Sequence, residues 1–170
     1  MRTLLIIPFV SIGLSLFGQN AIIPDSTSVS SIDGIVNEVL RVLSGTKDQE
    51  RPWDWFRHLF TEQAQVTMIK HIENDNEIEI ISIDSFLERM APGLAAFDFL
   101  EYETGKVVDE YNGLAQVFQS YVVKQGPVEE RGINSYQLVY SQNRWWISAL
   151  AWSSNNNGQD IPEAYLNLNH

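Results

Sequence analysis

Glu101 and Glu103, two carboxylates two residues apart in the segment FLEYE (99–103), are the first candidates for chemistry in this sequence. On a strand, residues i and i+2 share a face, so both acids point the same way. Two carboxyls close together push one pKa upward, which is how acid–base pairs are built. Asp98, Asp109 and Tyr121 supply further donors and acceptors nearby in the chain. The alternative is a strand face turned to water, where acids are common. RGINSYQL (131–138) is the second candidate. Alternation puts Ile133, Ser135, Gln137 and Val139 on one face and Asn134, Tyr136, Leu138 and Tyr140 on the other. Arg131, at the strand start, would clamp an anion at a pocket rim, with Ser135 and Gln137 as hydrogen-bonding groups. Alternatively, Arg131 pairs with Glu101 or Glu103 on a neighbouring strand. The candidate ligand-binding set is therefore Glu101, Tyr121, Arg131, Asn134, Ser135 and Gln137.

Other residue types carry weaker signals. His58 and His71 are the internal histidines. A histidine beside a carboxylate can act as a general base, but neither lies in a motif, and each reads as a surface or structural side chain. ENDNEIE (73–79) alternates acids as a calcium loop does, yet lacks the turn glycine and the distal glutamate, so a hairpin turn is expected. The absence of cysteine excludes disulfides, thiol catalysis and thiolate metal sites. No cofactor or metal is expected. With 11 basic against 22 acidic residues, the formal charge of −11 would repel nucleic acid and anionic lipid, so neither is an expected partner.

Elements must position these residues. SIDGIVNEVLRVLSG carries Ile32, Ile35, Val36, Val39, Leu40 and Leu43 at three-and-four spacing, a helix with Ser31 as cap and Gly45 as a left-handed stop. PWDWFRHLF reads as a second short helix with Pro52 in its first turn. A strand from Ala64, a turn at ENDNE and a short strand IEII follow. SIDSFLERMAPGL is a third helix stopped by Pro92-Gly93. The rest is strand: FDFLEYET and KVVDEYN flanking Gly105, then GLAQVFQSYVVKQ, INSYQLVY and RWWISALAW. The tail carries Ile161, Tyr165 and Leu166 for docking on the body. Helices early and strands late imply an α+β domain, its curved antiparallel sheet wrapped on about three helices as a cone whose mouth is a natural pocket.

The N-terminus MRTLLIIPFVSIGLSLFGQN has a basic start, a short apolar run and a small-residue exit, the layout of a signal peptide over 1–20. Export, to the periplasm or the medium, is expected, with no membrane attachment after cleavage. Residues 21–30 read as a flexible linker and 31–168 as one domain. Adjacent Trp145 and Trp146 must face opposite sides of their strand, one into the core and one onto the outer sheet face, an association surface that suggests a homodimer.

FLEYE (99–103), GLAQVFQSY (113–121), RGINSYQL (131–138), RWWI (144–147) and IPEAYL (161–166), in this order, resemble the NTF2-like, or SnoaL-like, superfamily, and within it a group of exported bacterial proteins with no assigned reaction. The resemblance covers roughly Ser31 to Leu166. It implies the cone fold, a pocket for a small molecule and dimerisation through the outer face. It does not choose among ligand binders, isomerase-, dehydratase- or cyclase-like enzymes with acid–base pocket residues, and protein-association modules. No position matches the isomerase motif residue by residue, so whether the chain is an enzyme stays open and a small-molecule binder is the expected function.

Overall fold

The computed structural model describes residues 25–166; the expected signal peptide and the start of the expected linker lie outside the described residues. The first helix, α1 (Ile32–Leu43), begins where Ser31 Oγ accepts the Gly34 amide at 3.0 Å, so the expected cap forms. Its apolar stripe is inside: Ile35, Val36, Val39 and Val42 are almost fully buried. Burying each such side chain is worth roughly 1.5–3 kcal/mol before the entropy of ordering it. Gly45 is not a left-handed stop. It pairs with Phe99 through two backbone hydrogen bonds of 2.8 and 2.9 Å, and a Cβ there would meet Gln49 Oε1 at 2.6 Å. The residue is small because strand and loop approach it closely.

Pro52 directly precedes α2 (Trp53–His58). Glu38, buried in α1, accepts from Arg41 Nε and Nη2 at 2.6 Å and from Trp55 Nε1 at 2.5 Å, tying α2 to α1. β1 (Phe60–Ile72) starts earlier than the alternation suggests and turns at Glu73-Asn74 into β2 (Asp75–Ser82), so the acidic segment is a hairpin. In α3 (Ile83–Ala96) the helix does not stop at Pro92-Gly93. Tertiary groups satisfy its last carbonyls: Arg51 Nη1 donates to Leu94 O at 3.0 Å and Gln125 Nε2 to Gly93 O at 3.2 Å. Arg51 also donates through Nε to Leu43 O at 2.8 Å, so one buried guanidinium closes the ends of two helices.

Four strands complete the chain: β3 (Phe99–Tyr111), β4 (Leu114–Gln125), β5 (Val128–Ser141) and β6 (Arg144–Ser154). β3 runs through Gly105 as one strand, with a register shift between Glu103 and Gly105. The sheet order is β2-β1-β6-β5-β4-β3. One pairing departs from the expected antiparallel pattern: β1 lies parallel to β6. The chain between them passes through β2, α3 and the β3–β5 meander, so no hairpin dictates their direction. The three helices pack on the inner face over Val66, Tyr136, Leu138 and Ile147. No helix among the described residues is long and apolar enough to cross a membrane.

Both ends of the described chain pack on the body, the tail as its apolar residues suggest. Ser28–Ser30, in the described part of the segment read as a flexible linker, forms a 3-10 turn with Val29 in the core. In the tail, Tyr165 stacks on Phe118 of the outer sheet face with ring centroids 5.5 Å apart, and Ser120 Oγ donates to its carbonyl at 2.7 Å.

Candidate functional site

A cavity of about 180 Å³ opens between α1, α3 and the inner face of β3–β6. Cross-strand register brings its polar groups together. Glu101 on β3 pairs with Val123 on β4, which pairs with Glu130 on β5, so two carboxylates flank one valine on the inner face. One rung further, Tyr121 lies opposite Gly132. A side chain at Gly132 would collide with the Tyr121 ring and hydroxyl and with Ser153 O. The glycine therefore lets the ring lie across β5, where its hydroxyl hydrogen-bonds Glu130. Asn134 Nδ2 donates to Glu101 Oε1 at 2.9 Å. Phe86, Phe99, Tyr136, Leu150 and Trp152 form apolar walls. Val128, 56% exposed, stands at the rim beside Gln125.

The electrostatics are those of carboxyls without a cation. Burial raises Glu101 to about 7; the Asn134 hydrogen bond pulls it down and the neighbouring Glu130 pushes it up. Glu130 is raised by burial and drawn back by the Tyr121 hydrogen bond. Burial, with Glu130 and Glu101 nearby, pushes the Tyr121 phenol well above its ordinary range, so it stays a neutral donor. The cavity walls include no lysine, arginine or histidine. Such an arrangement can hold a proton at Glu101 near neutral pH, donate from Tyr121, and surround a small apolar body.

Of the six residues predicted to bind ligand, the structure gathers Glu101, Tyr121 and Asn134 on this wall. Arg131, Ser135 and Gln137 are not part of it. Asn134 and Tyr136 face inward, so their odd-numbered neighbours must face the other side of the sheet. Arg131 is exposed there, pairing with Glu129 at 3.4 Å rather than with Glu101 or Glu103. Ser135 Oγ accepts from Gln116 at 2.9 Å, and the Gln137 carbonyl accepts from Ser148. The anion clamp is thereby removed from the cavity. Glu130 was not among the predicted residues. Its parity with Asn134 carried a signal, but only the sheet order places it across Val123 from Glu101.

Glu101 and Glu103 do share a face, but they are not the coupled pair. Glu103 accepts from Lys106 at 2.7 Å and Gln119 at 2.8 Å; the acid that acts on Glu101 is Glu130. His71 is structural, bonded to Asn76 and Ser153 at 2.7 and 2.9 Å. His58 lies against Trp55 and Trp146, its pKa lowered by burial and by Arg144. Trp145 is buried, whereas Trp146 lies beneath the Arg144 guanidinium, 3.8 Å from its ring centre. Among the described residues no group of three or more acids and histidines is placed to hold a metal ion.

No protein-family model matches the sequence, and no curated protein matches it significantly. Solved structures do match in shape. An NTF2-like protein of unknown function from Silicibacter pomeroyi DSS-3 superposes with a TM-score of 0.50 at 15% identity, over 71% of this chain and 89% of that one. The beta subunit of benzoate 1,2-dioxygenase from Burkholderia mallei ATCC 23344 gives 0.55 at 12% identity, over 76% and 92%. A hexachlorocyclohexane dehydrochlorinase gives 0.53 at 11% identity, over 71% and 80%. The chain has the NTF2-like, or SnoaL-like, α+β fold.

Proposed function

We propose that this NTF2-like domain binds a small molecule in the cavity bounded by Glu101, Tyr121, Glu130 and Asn134. The observation that carries the reading is a half-buried carboxyl, Glu101, on the wall of an open cavity with one amide donor and no cation among the described lining residues. A carboxyl serving only the fold is usually paired or turned to water. The size supports a small occupant, since an apolar cavity of about 150 Å³ accommodates benzene. Saturation-transfer NMR with a set of one-ring fragments tests this, using Val123→Trp to fill the cavity from its centre. Hits on the wild type that vanish in a folded Val123→Trp support the proposal. An absence of hits, or hits indifferent to the variant, overturns it.

A second reading, proton-transfer catalysis, has one observation in its favour: an acid held at about 7 in the same cavity as a neutral tyrosine donor. The dehydrochlorinase among the structures of similar shape shows that this fold accommodates chemistry. Bound fragments with an acidic C–H, incubated in deuterated buffer, would exchange that hydrogen with the wild type and not with Glu101→Gln. Equal exchange in both proteins would refute a role for Glu101 as base.

A further inference from the structure

The geometry points to a small organic cation as the occupant: one aromatic or alicyclic ring carrying an ammonium group, the ring on the apolar walls and the ammonium between Glu101 and Glu130. This rests on the pocket-binding reading above and adds the charge and size of the ligand.

Three observations converge. First, the polar lining is one-sided. Two carboxyls face the cavity and no basic group does, so an anionic ligand would meet uncompensated negative charge. The formal charge of −11 over the whole chain acts in the same direction, drawing cations in and keeping anions out. Second, Glu101 and Glu130 stand on strands two apart, with Val123 between them. Adjacent strands are about 4.8 Å apart, so the two backbones lie roughly 10 Å apart across the sheet. One ammonium placed between the carboxyl tips would reach both. Glu130 makes Glu101 harder to ionise, and a cation shared between them removes that penalty. Third, the walls suit the remainder of such a molecule. Tyr121, Tyr136, Trp152, Phe86 and Phe99 surround the space, and aromatic faces attract cations as well as apolar rings.

Size narrows the class further. The 180 Å³ cavity slightly exceeds the roughly 150 Å³ that holds benzene, so it accepts one ring and one short arm. A fused multi-ring body would require the walls to move. The competing neutral ligand would accept a hydrogen bond from protonated Glu101, but would leave Glu130 without a counter-charge. The second carboxyl therefore favours the cation.

Isothermal titration with three matched probes separates the possibilities: benzylamine, benzyl alcohol and benzoate, each at about pH 7, where Glu101 is part-protonated. Benzylamine is expected to bind roughly tenfold or more tightly than benzyl alcohol, and benzoate not at all. Its binding should release protons, seen as a heat that depends on the ionisation enthalpy of the buffer, because the arriving ammonium ionises Glu101. In Glu101→Gln and Glu130→Gln the preference for the amine should shrink toward parity while benzyl alcohol still binds. Equal or tighter binding of benzyl alcohol by the wild type overturns the charge assignment and leaves the pocket reading standing. Binding of none of the three overturns both.

Discussion

Glu101 and Glu103 are two residues apart on one face of one strand, and they have different fates. Glu103 meets Lys106 at 2.7 Å and Gln119 at 2.8 Å, and Lys106 also reaches Asp33 of α1 at 3.3 Å. Gln119 in turn accepts from Tyr136 at 3.4 Å. That carboxylate belongs to a network centred on a cation, Lys106, that pins the sheet to the first helix. Glu101, one rung nearer the cavity, has an amide and a second acid instead. Desolvation acts on any enclosed carboxyl; what separates the two is whether a cation shares the enclosure. A carboxyl left without one is costly to the fold and available to a ligand.

Removing the cation from the Glu103 side should have the largest effect. Lys106→Met leaves Glu103 and its network without counter-charge. The lysine and glutamate side chains are only 15% and 21% exposed, so a loss of roughly 2–3 kcal/mol in urea unfolding is expected, below the range for a fully buried pair. A loss under about 0.5 kcal/mol would show the pair to be an ordinary surface contact and dissolve the contrast.

On the cavity side the effect reverses in sign and depends on pH. Folded, Glu101 keeps its proton to about 7, against 4.5 for an ordinary glutamate. Between these values the folded state binds more protons than the unfolded one, so stability falls as pH rises through that window and levels off above it. The full shift corresponds to at most roughly 3 kcal/mol. Glu101→Gln lacks this loss. It should match the wild type in the acid range and exceed it by up to roughly 3 kcal/mol at about pH 8. Parallel stability–pH curves for the two proteins would mean that Glu101 is solvated or has found a cation.

The smallest change tests how far the network extends. Tyr136→Phe removes only a long hydrogen bond to Gln119 from a fully buried ring. About 0.5–1 kcal/mol is expected, with the Glu103–Lys106 pair intact. A loss as large as that of Lys106→Met would place the tyrosine hydroxyl at the centre of the network instead of its edge.

Local physics fixed much of this molecule in advance. Three-and-four spacing located α1, and Ser31 marked its start. Alternation in β5 divided its residues correctly between two faces, with Asn134 and Tyr136 on one and Ser135 and Gln137 on the other. Strand periodicity does not state which face is inside, since both carried polar side chains; the packing of the helices decided that. Arg131, Ser135 and Gln137 therefore fell outside the cavity. The passage of α3 through Pro92 depended on Arg51 and Gln125, both remote in the chain, receiving its final carbonyls. The meeting of Glu101 with Glu130 required the β3–β4–β5 register, a relation between strands on which the composition of neither bears. Sequence by itself determined the elements and the alternation of their faces, because those follow from contacts a few residues long. The tertiary structure alone decided which acid received a cation and which faced the cavity, because enclosure and charge pairing arise between segments far apart in the chain.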